Sequence, residues 1–99
     1  MSFVTTQPEA LTAAANSLQA IGSAMAAQNA AASVPTTGVV PAAADEVSAL
    51  TATQFVAHAT LYRAVSAQAE TIHEMFVKTL GISAGSYAAT EVANAIAAG

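Results

Sequence analysis

The sequence predicts an all-α protein built as an antiparallel two-helix hairpin, and three observations carry that expectation. Two long stretches repeat apolar residues at helical spacing, a single connector bracketed by Pro35 and Pro41 divides them, and alanine fills most of the intervening positions. The composition adds that such a hairpin is only half of a structure. Its 99 residues allow one domain, 55% of them are hydrophobic and only 8% are charged, against about 25% charged in ordinary domains. Two helices enclose little volume of their own, so much of the apolar surface is expected to be covered by another chain.

The first helix is expected over residues 7–33. Thr6-Gln7-Pro8-Glu9 places a Thr three residues before a Glu, the pattern of a capping box, with Pro8 in the first turn where its missing N–H is harmless. Leu11, Ala14, Leu18, Ile21, Met25 and Ala32 then form one stripe at spacings of three, four and seven. Gly22 is a local weak point. The connector is assigned to residues 34–41, because Pro35-Thr-Thr-Gly-Val-Val-Pro41 combines two prolines, a glycine and β-branched residues. So short a link folds the second helix back antiparallel.

The second helix is expected over residues 42–80, with Asp45 a natural N-cap and Asp45 and Glu46 placing negative charge at the positive end of the helix dipole. It carries two apolar stripes. Val47, Leu50, Ala57, Leu61 and Met75 lie on one side, and Phe55, Tyr62, Val65, Ala69, Ile72, Phe76 and Leu80 form a neighbouring seam. One seam can meet the first helix, which leaves the other for a second surface. Arg63, Glu70, Glu74 and Lys78 are expected to face water. Two glycines and two serines in Gly81-Ile-Ser-Ala-Gly-Ser86 should end or fray the helix, leaving residues 81–99 as a tail.

Charge and residue types exclude several functions. The net charge of −4, with Arg63 and Lys78 the only strong cations, argues against nucleic acid and against anionic membrane surfaces. Without cysteine there is no disulfide or thiolate chemistry. Residues 1–10 lack the basic and apolar regions of a secretory signal peptide. Glu70-x-x-His73 has the form of half a carboxylate di-iron site but lacks its counterpart, and Val77 stands where a metalloprotease helix needs its second His. His58 falls on the aromatic seam and reads as an interface hydrogen-bonding residue. No catalytic, cofactor or metal residues are expected. The uncharged run between Glu9 and Asp45 contains Asn16, Gln19, Gln28 and Asn29, which argues against a membrane span.

Three segments resemble one family. The opening Met1-Ser-Phe-Val-Thr-Thr-Gln-Pro8-Glu9, the connector running from Pro35 through Pro41 to Asp45-Glu46-Val-Ser, and Tyr87-x-x-x-Glu91 together are similar to the mycobacterial PE proteins, over essentially the whole chain. The likeness is to short members consisting of the PE domain alone, residues 1–99 here, and to those exported by the fifth ESX, or type VII, secretion system. It implies a PE hairpin that completes a four-helix bundle with a PPE protein in a 1:1 heterodimer. Leu11, Leu18, Ile21, Met25, Phe55, Tyr62, Val65, Ile72, Phe76 and Leu80 are the expected partner interface. Pro8 and Glu9 carry the family's Pro-Glu motif, and Thr6, Asp45 and Glu46 are expected at helix starts. The resemblance makes Tyr87 and Glu91 the secretion motif read by the type VII machinery, and it places any EspG-type chaperone on the PPE subunit. The implied course runs from cytoplasm to cell envelope or exterior, with membrane association only after export. A role in outer-membrane nutrient uptake or host interaction, and a homodimeric helical bundle, are the competing expectations.

Overall fold

A computed structural model describes residues 5–99 and shows an all-α two-helix hairpin; Met1–Val4, which open the motif containing Pro8 and Glu9, lie outside the described residues. Helix α1 spans Pro8–Thr37 and helix α2 spans Glu46–Ala98. The chain divides into two compact units, one formed by residues up to Gly22 with His73–Gly99, the other by Ser23–Ile72.

In the first unit the start of α1 pairs antiparallel with the end of α2. Pro8 opens α1, and the carbonyl of Gln7 accepts from the amides of Ala10 at 3.0 Å and Leu11 at 3.2 Å. Gln7 is therefore the cap, and the expected Thr6 to Glu9 capping box is not made. A residue before proline is pushed into extended backbone, which suits Gln7 to the non-helical capping position and leaves Thr6 outside the helix. Thr6 instead gives both its amide and its hydroxyl to Glu91 Oε1, at 2.9 and 3.0 Å. The segment expected to be a tail is helix: α2 continues through Gly81 and Gly85 with both glycines at negative φ. Packing overrides their poor propensity, because Ala84 is buried and Leu80, Ala88 and Glu91 are half-buried on the same face.

Within the second unit the end of α1 and the start of α2 are joined by residues 38–45. The expected break at residue 34 comes later, since α1 passes through Pro35 to Thr37. A proline this close to the C-terminus forfeits one hydrogen bond while its fixed φ remains helical. The last carbonyls are taken by hydroxyls, Thr36 Oγ1 donating to Ala32 O at 2.6 Å and Thr37 Oγ1 to Ser33 O at 2.7 Å, and Gly38 N closes on Val34 O at 2.9 Å. Asp45 immediately precedes α2. Its Oδ1 accepts from Ser48 N at 2.8 Å and its Oδ2 from Ser48 Oγ at 3.1 Å, and these bonds, the amide first, hold the carboxyl below its ordinary value.

The most deeply buried positions of the hairpin are small residues, with Val56, His73, Val77 and Leu80 of α2 half-buried alongside them. Ala15, Ala52 and Ala84 are the buried hydrophobics among the described residues, and the half-buried positions between them include Gly22, Ala26 and Ser33 on α1 and Ser48, Ala59, Ser66 and Ala88 on α2. Small side chains let two helices approach closely. One of the two seams is expected to meet the first helix, yet the large residues of both are exposed: Val47, Leu50, Leu61 and Met75 of the first, and Phe55, Tyr62, Val65, Ile72 and Phe76 of the second, in which Leu80 alone among the large residues is half-buried.

Candidate partner interface and export motif

The exposed large residues of α2 are ordered by helical spacing. Phe55, Tyr62, Ala69 and Phe76 recur every seven residues, and Val65 and Ile72 lie between them at the complementary three-and-four spacing. This is the pattern of a seam that packs against another helix. Phe55, Tyr62, Val65, Ile72 and Phe76 are between 57% and 67% exposed. An isolated Leu at a surface is ordinary, whereas a continuous row of this kind marks an interaction surface.

On α1 the expected interface residues divide. Ile21 and Met25 are exposed, while Leu11 and Leu18 are half-buried, as is Leu80 of α2. Leu11, Ala15, Leu18 and Gly22, spaced three or four apart, form the buried and half-buried row, and Ile21 and Met25 flank it with exposed side chains. In the second unit an open groove of about 610 Å³ runs between Ala26, Asn29, Ala30, Phe55, Ala59 and Tyr62. His58, also on its wall, is exposed. Weak polar contacts cross this unit, Tyr62 Oη to Asn29 Oδ1 and Asn29 Nδ2 to Glu70 Oε1, both at 3.4 Å. Glu70 is thus half-buried against Asn29 and does not lie wholly on the water-facing side with Arg63, Glu74 and Lys78.

His73 fills a structural position that residue spacing does not reveal. Its Nε2 lies 2.7 Å from the Leu18 carbonyl oxygen, and because a carbonyl can only accept, the ring carries its proton there. The ring rests against Gly22, where a Cβ would stand 2.6 Å from Cδ2 and 2.7 Å from Nε2. The absence of a side chain at position 22 is what admits the imidazole. Gly22 and Ala15, small residues seven apart, were the available signal for a close crossing. No group of three or more His, Cys, Asp or Glu residues able to hold a metal occurs among the described residues.

Tyr87 and Glu91 stand one turn apart on α2. Tyr87 is about half exposed, and Glu91 is half-buried with Oε1 occupied by Thr6. Pro8 begins α1 and Glu9 contributes an acidic side chain to its first turn; Glu46 does the same for α2. Among the described residues no helix is long and apolar enough to cross a membrane.

Residues 4–94 match the model of the PE family. The chain belongs to the PE family. Curated relatives of this PE chain include PE family protein PE13 of Mycobacterium tuberculosis, 66% identical over 98 residues that cover 99% of both chains. PE family protein PE8 of the same species is 62% identical over 98 residues, which are 99% of this chain and 36% of that protein. PE-PGRS family protein PE_PGRS33, also from M. tuberculosis, is 59% identical over 95 residues, 96% of this chain and 20% of its own length. The chain therefore spans nearly all of one relative but only about a third and a fifth of the other two.

Proposed function

We propose that this PE chain is a non-enzymatic partner subunit that docks a PPE protein along the exposed seam of α2, completes a four-helix bundle with it, and is exported as a pair through a type VII system to the mycobacterial envelope or beyond. One observation carries the docking part: the most deeply buried contacts between the helices are alanines, with Leu11, Leu18, Val56, Val77 and Leu80 half-buried beside them, while Phe55, Tyr62, Val65, Ile72 and Phe76 stay exposed to solvent. Burial of such side chains is worth about 25 cal/mol per Å², so a complementary apolar hairpin is the partner chemistry the seam fits. Ile21 and Met25 supply the contribution of α1. Any chaperone of the EspG type acts on this chain through the PPE subunit.

Size-exclusion chromatography with light scattering, on the chain alone and co-expressed with candidate PPE proteins, tests the pairing. A discrete 1:1 species with a partner and aggregation without one is the expected result. A stable, soluble homodimer of the chain alone would overturn it in favour of self-assembly through the same seam. The export part rests on Tyr87 and Glu91. Tyr87→Ala should leave the pair intact and confine it to the cell, and normal recovery of that variant outside the cell would remove the motif from the account.

A further inference from the structure

The contact between Thr6 and Glu91 is the most remote in sequence of the side-chain hydrogen bonds in the described structure, spanning 85 positions. Both donors of Thr6 converge on a single carboxylate oxygen, and both residues are half-buried. Its place on α2 gives the contact a consequence. Beyond Glu91 every residue from Val92 to Gly99 is exposed, Val92 and Ile96 included. Before it lie Gly81 and Gly85, whose missing side chains leave open space and whose helix propensity is poor. After Ala84 and Ala88, Glu91 is the final inward anchor of α2, and the only one of the three that makes a hydrogen bond to the region of α1. Tyr87 sits between these anchors with about half of its surface exposed.

We propose that Glu91 serves export as a positioning residue: by accepting the amide and hydroxyl of Thr6 it pins the end of α2 to the segment preceding α1, so that Tyr87 is presented on an ordered helix. Thr6 is thereby part of the export determinant although it lies far from Tyr87 in sequence. The proposal rests on the export reading above and specifies how its acidic residue works. A carboxylate read directly by the secretion machinery would be needed for its charge. A carboxylate that works as an anchor is needed for an oxygen that accepts hydrogen bonds, and an amide oxygen supplies that as well.

The test uses the full chain in a mycobacterial host, with secreted and cell-associated protein quantified for Glu91→Gln, Glu91→Ala, Thr6→Val and the double variant Thr6→Val with Glu91→Ala. Glu91→Gln is expected to be exported close to normally and Glu91→Ala to be retained. Thr6→Val, which keeps the shape but loses the hydroxyl, should be exported at a reduced level and add nothing in the Glu91→Ala background. Amide hydrogen exchange over residues 92–98 of the full chain, purified in complex with a co-expressed partner, supplies a readout independent of transport. Loss of one bond to a charged acceptor should speed exchange there roughly tenfold in Thr6→Val. Glu91→Gln retained as fully as Glu91→Ala, normal export of Thr6→Val, or unchanged exchange in Thr6→Val would each overturn the proposal. Tyr87→Ala separates this from the underlying reading: its normal export removes the export role of the motif, while the exchange measurement still decides whether Thr6 and Glu91 anchor the helix.

Discussion

The two faces of α2 invert the usual arrangement of an amphipathic helix. The inward face carries the small residues Ser48, Ala52, Ala59, Ser66, Ala84 and Ala88 interspersed with Val56, His73, Val77 and Leu80, and the outward face carries Phe55, Leu61, Tyr62, Ile72 and Phe76. In an ordinary helix the large side chains would fill the core and the small or polar ones would meet water. Here the hairpin is joined by close approach and a few directional bonds, His73 to Leu18 and Thr6 to Glu91 among them. The aromatic side chains of α2 and several of its large aliphatic ones remain exposed. The difference teaches that the hairpin and its docking surface are built from largely separate residues, with Tyr62, which bonds Asn29 across the hairpin, shared between them, so that most of each can be disturbed without the other.

The largest expected effect breaks the outward face alone. Phe76→Asp places a charge where a partner would bury an aromatic ring, which forfeits about 1.5–3 kcal/mol of burial and adds the penalty of an unpaired buried charge. Complex recovered on co-expression should fall by roughly a hundredfold or more, while far-UV circular dichroism of the chain stays unchanged because Phe76 is exposed within the hairpin. Normal recovery of complex would show that the seam is not the docking surface. A loss of helicity would show that the two faces are not independent.

The inward face is tested at Gly22, where the sign of the effect depends on the partner residue. A methyl group there collides with the His73 ring at 2.6 Å, so Gly22→Ala must expel the ring and its bond to the Leu18 carbonyl. Overpacking and the lost bond should destabilise by about 1–3 kcal/mol. With His73→Ala the obstacle is gone, and the same substitution should then stabilise α1 by up to about 1 kcal/mol through helix propensity. Thermal unfolding of the four chains of this cycle measures the coupling. Additive effects would mean that the ring is not seated against Gly22.

A third test concerns positions that belong to neither face. A Cβ built on Gly81 or Gly85 meets nothing within 4 Å, and neither glycine has positive φ. Gly81→Ala and Gly85→Ala should each stabilise the chain by about 0.5–1 kcal/mol and leave partner recovery unchanged. Destabilisation on thermal melting would place these residues in a contact that the hairpin does not show.

The sequence makes the two helices and the single connector legible because their signals are local: a period of 3.6 residues, and prolines at Pro35 and Pro41. It misleads about which residues face inward. Hydrophobicity ranks Phe55 and Ile72 above Ala52 and Ala59, yet interhelix distance selects for small size, a criterion met by the buried or half-buried Ala15, Gly22 and Ala26 of α1 and Ala52, Ala59, Ser66 and Ala84 of α2. The glycines and serines of residues 81–86 read as a helix end for a related reason. Propensity is a weak local term, and burial of Ala84 outweighs it. Local spacing pairs Thr6 with Glu9, because a capping box spans three residues. Its true acceptor lies 85 residues away, beyond the reach of any local pattern.

The smallest effect lies at the start of α2, where Asp45 caps the first turn and neither face is involved. Its carboxyl is lowered from the ordinary value of 3.8, chiefly by the amide of Ser48 and next by the Ser48 hydroxyl. A folded-state value below the unfolded one means that the charged cap contributes stability in full above the ordinary Asp range. That contribution is lost as pH falls through the lowered folded value. Asp45→Asn retains a side-chain oxygen for the Ser48 amide and is an equally good cap residue, but it cannot titrate. The difference in thermal stability between the native chain and Asp45→Asn should therefore be constant from neutrality down to about pH 5 and shift against the native chain below its ordinary Asp range. Partner recovery at neutral pH should be the same for both, because the cap acts on the helix end and leaves the outward seam as it was. A pH-independent difference would mean that the Ser48 amide does not distinguish the ionised from the neutral carboxyl.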